Sequence, residues 1–250
     1  VTNITFDNTL PVFNINLPLS NSSANSPAVG YTLSEDLASG TVTYTRTSGN
    51  IDLYSPHVVN LIGSELSQGT KNYGNLSSSP TLVSGTTYTI SFNGTDNAGN
   101  SADTKSVTGI IYDSTNPVFS NVSPDSNSIV GSANIGCTLS ETILAGKVTF
   151  TRISGTNDSN SPHTCTLTST ELNSGVKSLG ALNNAPTLVS GTVYSITLDS
   201  TDLAGNDSST FSISDVTFNS SAVSVFSSIA PATDAYVKST NVTYSLSQNL

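Results

Sequence analysis

Residues 91–100 read SFNGTDNAGN, and residues 197–206 read TLDSTDLAGN. The shared phrase TD-x-AGN recurs at a fixed offset, since Asp202 follows Asp96 by 106 residues. Strand-like residues flank the phrase, and a glycine such as Gly99 can adopt the positive φ of a tight hairpin. The Asp and Asn side chains can bond the backbone of such a turn. The phrase therefore predicts one β-hairpin in each of two similar domains.

The same offset relates the rest of the chain. DNTLPVF at 7–13 returns as DSTNPVF at 113–119, and PTLVSGTTYTI at 80–90 returns as PTLVSGTVYSI at 186–196. The register holds without a gap, which indicates a tandem duplication.

A third copy begins after residue 219, where residues 225–250 parallel residues 118–143 with one inserted residue. At the other end, VTNITFD matches VTGIIYD, which closes a unit. The chain thus resembles a window from a longer array that begins and ends within a repeat. The predicted domains are the last strand of a preceding repeat at 1–7, repeat 1 at 8–113, repeat 2 at 114–219 and an incomplete third repeat at 220–250.

The composition favours strands and turns. The chain is 35% hydrophobic and only 10% charged, and its polar share comes from Ser, Thr, Asn and Gly. Apolar residues alternate in TVTYTR and TTYTISF, as half-buried antiparallel strands require. A unit of 106 residues has the size of an immunoglobulin-like sandwich. We expect an all-β protein of tandem immunoglobulin-like β-sandwich domains arranged end to end. Strands of the first copy are predicted near 11–17, 28–34, 41–47, 57–62, 70–76, 85–94 and 104–112.

Charge and hydropathy exclude several classes of partner. A net charge of −10 argues against binding to nucleic acid or to an anionic membrane, and it makes divalent cations natural partners. No apolar run approaches the roughly 20 residues that span a bilayer, so we expect no membrane insertion in this segment.

No motif indicates an enzyme. The sequence contains no G-x-S-x-G elbow, P-loop, zinc-ligand cluster, H-E-x-x-H or dinucleotide fingerprint. Cys165 lies two residues from His163, but the first copy has Val59 in place of the cysteine. A catalytic pair that one of two parallel copies lacks is implausible.

Two rare residue types keep the repeat offset. The only two arginines are Arg46 and Arg152, and the only two histidines are His57 and His163. A recurrent site in each domain is one explanation. We favour structural roles, in which Arg46 pairs with a carboxylate such as that of Glu35 and His57 packs at the start of a strand.

Taken in order, these motifs resemble the bacterial immunoglobulin-like (Big) repeats of large surface and secreted proteins. The resemblance covers both complete units. It is carried by Pro11, Ser34–Glu35, Gly85–Tyr88 and Asp96–Asn100 in the first copy, and by Pro117, Pro124, Ser140–Glu141, Gly191–Tyr194 and Asp202–Asn206 in the second. It implies a stalk, an adhesin repeat or a coat component at the cell surface, and it identifies no ligand.

Two functions follow as hypotheses. The first is a structural segment of an extracellular fibre, stalk or filament, whose partners are neighbouring repeats and further copies in self-assembly. Its short linker YDSTNP limits bending because the residue before proline is held extended. The second is an adhesin module that binds glycan or protein. The replacement of Tyr54 by Asn160 in the second copy weighs against a repeated aromatic platform.

Carboxylates near strand ends and linkers form a candidate calcium site at each domain junction. Calcium takes 6–8 oxygen ligands, and a bound cation would relieve repulsion in an acidic chain. The alternative is that these carboxylates are solvated or bond turn backbones. The candidate ligands are Asp7, Glu35 and Asp96, together with Asp113, Glu141 and Asp202.

Both cysteines lie in the second copy. Cys137 and Cys165 replace Tyr31 and Val59, and each position falls within a strand-like run. Two such changes in one unit suggest that a contacting pair was replaced. We therefore predict a disulfide, with two buried free thiols as the alternative.

Overall fold

The computed structural model describes residues 4–221, 226–230, 236, 238 and 243–246. The chain divides into two compact units. Unit 1 runs to Asn116 and includes Leu203–Asn206, whereas unit 2 contains Pro117–Asp202 and resumes at Asp207. The predicted boundary between residues 113 and 114 lies three residues before the observed one.

Unit 1 is built from strands and contains one 3₁₀ helix, Gly63–Leu66. All seven predicted strands are present, although two of them are longer than predicted, and a two-residue strand was not predicted. The strands are β1 (Phe13–Leu17), β2 (Ser23–Ala24), β3 (Val29–Leu33), β4 (Leu37–Gly49), β5 (His57–Asn60), β6 (Gly69–Gly74), β7 (Thr86–Asp96) and β8 (Lys105–Tyr112).

Two sheets enclose the core of unit 1. One has the order β1-β3-β6 and the other the order β2-β8-β7-β4-β5. Neighbouring strands are antiparallel except β2 and β8, which are parallel. Alternate residues of β7 are buried, as the sequence pattern predicts. The rings of Phe13 and Phe92 meet across the sheets, with centroids 5.8 Å apart. This is a β-sandwich.

Unit 2 repeats this architecture. Its strands are β9 (Phe119–Ser123), β10 (Ile129–Val130), β11 (Ile135–Leu139), β12 (Ile143–Gly155), β13 (His163–Thr166), β14 (Gly175–Gly180), β15 (Thr192–Asp202) and β16 (Phe211–Phe218). Its sheets have the orders β9-β11-β14 and β10-β16-β15-β12-β13, and its 3₁₀ helix is Ser169–Leu172. The eleven residue pairs of the β4–β7 ladder all recur 106 residues later in the β12–β15 ladder.

The predicted third copy has one described ladder, in which β17 (Phe226–Ala230) pairs with β18 (Thr243–Leu246). Phe226 lies opposite Leu246, just as Phe119 lies opposite Leu139 in unit 2. This ladder lies where the third copy is predicted to begin, and the other residues of the predicted third copy after residue 221, apart from 236 and 238, lie outside the described part of the chain.

The predicted strand at residues 1–7 is absent from its described part. Residues 4–7 belong to no strand, and residues 1–3 lie outside the described part of the chain. Ile4 and Phe6 are exposed, with no described strand paired beside them. Among the described residues, no helix is long and apolar enough to cross a membrane.

Candidate functional site

The TD-x-AGN phrase of unit 1 forms the predicted turn after β7. Asp96 closes the strand, and its Oδ1 accepts hydrogen bonds from the backbone N–H groups of Ala98 and Asn100, both at 2.8 Å. Its Oδ2 accepts the Asn100 side-chain N–H at 2.8 Å. Gly99 takes φ +95°, which L side chains rarely adopt. The phrase is therefore a hairpin turn organised around a carboxylate that is only 2% exposed.

Hydrogen bonding keeps this buried carboxylate ionised. Burial alone raises the pKa of Asp96, but the hydrogen bonds from Asn100, Ala98 and Gly99 outweigh it and lower the pKa. Asn100 also donates to the backbone oxygen of Asp7 at 3.2 Å, which links the turn to the segment before β1.

Three of the six predicted calcium ligands meet beside this turn. Carboxylate oxygens of Asp7, Glu35 and Asp96 all lie within 4.8 Å of one another. The pKa of Glu35 is raised, first by desolvation and then by the negative charges of Asp7 and Asp96. Such a cluster favours a bound cation, because a divalent ion would offset three like charges.

The residues fit calcium in ligand type and fall short in number. All three donors are hard carboxylate oxygens, whereas calcium takes 6–8 oxygens, so water or backbone oxygens would complete the shell. The backbone oxygen of Asp7 lies next to the cluster through its bond to Asn100. The calcium assignment stays a prediction.

The other three predicted ligands are divided between the units. Asp113 belongs to unit 1, where its Oδ1 accepts hydrogen bonds from Ser84 Oγ at 3.0 Å and from the Thr115 backbone at 2.9 Å. Burial raises its pKa, but these bonds prevail and lower it. Glu141 is half-buried before β12 in unit 2, and Asp202 is buried at the end of β15.

A buried polar network recurs in each unit, and the sequence did not reveal it. In unit 1, Asp52 Oδ2 lies 2.6 Å from His57 Nε2 and accepts the Tyr88 hydroxyl at 2.7 Å. The Tyr88 hydroxyl oxygen in turn accepts a hydrogen bond from the Val83 backbone N–H at 3.1 Å. Unit 2 has the same network. Asp158 Oδ2 lies 2.6 Å from His163 Nε2 and accepts the Tyr194 hydroxyl at 2.6 Å, and the Tyr194 hydroxyl accepts the Val189 N–H at 3.0 Å.

The aspartate of each network is ionised. Burial raises the pKa of Asp52, but hydrogen bonds from Tyr88, His57 and the Tyr54 backbone lower it overall. Hydrogen bonds from Tyr194 and His163 lower the pKa of Asp158 to about 2. With the carboxylate ionised, the histidine Nε2 must be the donor. The histidines therefore have a structural role, in which they fix the loop before β5 and β13.

The arginines donate hydrogen bonds to backbone oxygens, whereas an ion pair with a carboxylate was predicted. Arg46 Nε donates to the Asn50 oxygen at 2.7 Å, and a terminal guanidinium nitrogen donates to the Gly49 oxygen at 2.8 Å. Arg152 repeats both bonds in unit 2. The predicted pairing of Arg46 with Glu35 is wrong, because the guanidinium satisfies carbonyls at the end of its own strand.

The two cysteines are free thiols in the structure, so the predicted disulfide is not formed there. Cys165 on β13 is buried in the core of unit 2, and Cys137 on β11 is half-buried and packs against the same core. Burial raises the pKa of both thiols; Lys177 opposes it at Cys137 and Glu171 adds to it at Cys165. Both sulfurs are therefore protonated near neutral pH.

No family model matches this chain. No curated protein matches it either. Solved structures that match include the FN1–FN3 domains of chicken CNTN1, at 13% identity and a TM-score of 0.41 over 83% of this chain and 66% of that one.

Two further matches are more distant. Dimeric latent PorU from Porphyromonas gingivalis is 12% identical, with a TM-score of 0.30 over 88% of this chain and 25% of that one. An alpha-L-rhamnosidase from Streptomyces avermitilis, complexed with L-rhamnose, is 11% identical, with a TM-score of 0.25 over 80% of this chain and 24% of that one. The chain thus spans 66%, 25% and 24% of these proteins. At these TM-scores the likenesses identify neither a family nor a function for this chain.

Proposed function

We propose that this chain is a segment of tandem immunoglobulin-like repeats of the Big type, arranged end to end in an extracellular fibre, stalk or filament at a cell surface. Its partners are neighbouring repeats of the same longer chain and other copies in self-assembly. The proposal includes no catalytic activity.

The observation that carries the proposal is the repetition of backbone pairing. All eleven pairs of the β4–β7 ladder recur in the β12–β15 ladder, and the bulges recur between the same pairs. The buried aspartate networks recur with them. A chain that duplicates its framework, and not a binding surface, is suited to supply length.

The start of the linker supports this proposal. Asp113 accepts hydrogen bonds from Ser84 and Thr115, and these bonds hold the residues directly after β8 against unit 1. A linker whose first residues are hydrogen-bonded to a domain has fewer accessible conformations. This restriction favours a stiff array over domains joined by flexible linkers.

Solution scattering of this chain tests the end-to-end arrangement. A single compact globule of this length has a radius of gyration of about 18 Å, and we expect a clearly larger value. Electron microscopy of the native full-length protein tests the assembly, where we expect fibres or stalks. A compact radius, or a full-length protein that stays monodisperse and binds a saturable ligand, would contradict the proposal.

A second candidate, an adhesin module, is favoured by one surface of unit 1. Ile51, Leu53 and Tyr54 are exposed by 73%, 86% and 83% in the loop before β5. Unit 2 has Asn157, Ser159 and Asn160 at these positions. Exposed aromatic and aliphatic residues that cluster in one loop are typical of a recognition surface.

A glycan array probed with this chain tests the adhesin candidate. We expect any specific binding to be lost in Tyr54→Asn, which installs the residue of unit 2. The matched control is Asn160→Ala, which should leave binding unchanged. Binding that survives Tyr54→Asn would remove this loop as the recognition surface.

A further inference from the structure

Unit 2 contains a cavity of about 490 Å³ beside its three-stranded sheet. The buried part of its wall is apolar and comes from both sheets, and Val176, which is 76% exposed, also lines it. The polar residues of the lining are Thr170, Glu171, Asn173, Ser174, Lys177 and Ser178. The buried residues of the wall are Phe119, Ile135, Val148, Leu167 and Leu198.

The cavity is lined by the residue that stands in place of a buried tyrosine of unit 1. Tyr31 is fully buried there, and its ring centroid lies 5.7 Å from that of Phe13 and 5.5 Å from that of Phe92. Unit 2 has Cys137 in place of Tyr31 and Leu198 in place of Phe92. Both replacements line the cavity. Two aromatic rings have therefore been lost from a backbone framework that is otherwise repeated.

The polar partner of that tyrosine is retained. In unit 1 the Tyr31 hydroxyl donates to the backbone oxygen of Glu65 at 2.8 Å. Its counterpart Glu171 lines the cavity in unit 2. The Glu171 carboxylate accepts the backbone N–H groups of Thr168 at 2.7 Å and Asn183 at 2.8 Å. Glu65 makes the same two bonds in unit 1.

We propose that unit 2 binds a small phenolic molecule in this cavity. The aromatic ring takes the place of the Tyr31 ring, and the phenol hydroxyl donates to the backbone oxygen of Glu171. The buried part of the wall favours an aromatic ring over a polar group, because its side chains offer no hydrogen bond in place of lost hydration. Apolar cavities left by large-to-small replacements bind benzene-sized molecules.

Titration of the reduced full chain with 4-methylphenol, followed by amide NMR shifts, tests this proposal. This probe is the tyrosine side chain itself. We expect saturable shifts confined to unit 2 near Val176 and Gly180, with a Kd on the order of a millimolar. Toluene, which keeps the ring and lacks the hydroxyl, should bind about three- to tenfold more weakly.

Two substitutions at one position separate the cavity from the thiol. Cys137→Ala keeps the cavity and removes the sulfur, so binding should be retained. Cys137→Tyr installs the side chain of unit 1, so binding should fall by about tenfold or more. If Cys137→Tyr does not fold, Leu198→Phe restores the second ring and should also weaken binding.

Three results would overturn the proposal. They are the absence of saturable shifts in unit 2, shifts that map outside it, and equal binding by wild type and the filled variants. Equal binding of toluene and 4-methylphenol would overturn the role of the Glu171 carbonyl.

Discussion

The two units share a framework and differ in how their cores are filled. In unit 1, Phe13, Tyr31 and Phe92 form a cluster of three mutually tilted rings. In unit 2 only the first ring remains, because Cys137 and Leu198 occupy the other two positions. The strand registers of the ladders are nonetheless the same.

This difference separates what specifies the fold from what stabilises it. The repeated features are backbone pairing, turn residues and the buried aspartate network, which define the register of strands and loops. The interior volume is filled differently in each unit. Register therefore tolerates the loss of two aromatic rings, and we expect stability to reflect that loss.

The largest expected effect comes from transferring the cysteine of unit 2 into unit 1. Tyr31→Cys removes a fully buried ring and its hydrogen bond to Glu65. We expect the free energy of unfolding of unit 1 to fall by about 3–5 kcal/mol, the range for truncating a buried aromatic side chain.

Hydrogen exchange in increasing urea resolves the two units in the full chain. Cys137→Ala is the matched control, and it should cost unit 2 much less because the cavity already exists. Equal losses in the two units would show that the cores are filled equally well.

The next effect depends on the oxidation state of unit 2. The predicted Cys137–Cys165 bond would close a loop of roughly 28 residues and stabilise unit 2 by about 3–4 kcal/mol in the chain-entropy model. Such a bond would compensate for the lost rings. Thiol labelling of the unfolded, unreduced protein is the measurement, and the two free thiols of the structure predict two reactive thiols. Labelling of neither cysteine would show that the bond forms.

The aspartate network is the same in both units, so its loss should lower the free energy of unfolding of each unit by a similar, smaller amount. Tyr88→Phe and Tyr194→Phe each remove a hydroxyl that donates to a buried, ionised aspartate. Each should cost its own unit about 1.5–3 kcal/mol. Urea denaturation of the two variants compares them directly. A loss confined to one unit would mean that the networks are not energetically equivalent.

The same networks predict an acid limit. The pKa of Asp158 is about 2 in the folded protein, below its ordinary value of 3.8. As the pH falls, Asp158 is protonated in the unfolded chain before it is protonated in the folded protein. Its contribution to the stability of unit 2 is therefore complete above pH 3.8 and is lost as the pH falls towards about 2. Asp158→Asn should flatten the stability profile of unit 2 between these values and leave that of unit 1 unchanged. An unaltered profile would assign the acid transition to other carboxylates.

The smallest expected effect is that of calcium on unit 1. If Asp7, Glu35 and Asp96 bind the ion, calcium at ten times its Kd adds about 1.4 kcal/mol to the free energy of unfolding. Glu35→Gln should abolish most of this gain, and Asp36→Asn serves as a control beside it. The measurement is the melting temperature with calcium and with a chelator. Identical values in both would show that no site exists.

Strand positions were predictable because they depend on local signals. Alternation and turn residues located all seven main strands of unit 1, and β2 was missed because two residues carry no periodicity. The meeting of Asp7, Glu35 and Asp96 was predictable because these residues lie at strand ends or in linkers.

The aspartate network was not predicted because its partners are distant in the chain. Asp52 and Tyr88 lie 36 residues apart, and they meet only when the loop before β5 packs beside β7. One signal was nevertheless present. Asp52, like His57 and Tyr88, recurs at the repeat offset, and a repeated aspartate near a repeated histidine indicates a shared contact.

The two-residue strand β2 has a mechanical consequence. It runs parallel to β8, the last strand of its unit, and three backbone hydrogen bonds join residues 21–24 to residues 108–113: Asn21 N–H to the Thr108 oxygen at 2.9 Å, Ile111 N–H to the Ser22 oxygen at 3.0 Å and Asp113 N–H to the Ala24 oxygen at 2.9 Å. A pull on the two ends of the unit drives parallel strands in opposite directions along their length, so all three bonds bear the load together in shear. An antiparallel pair pulled in this way would open one bond at a time, like a zipper. Unit 2 has the same parallel pairing between β10 and β16, so tension on the chain is resisted by equivalent hydrogen bonds in both units.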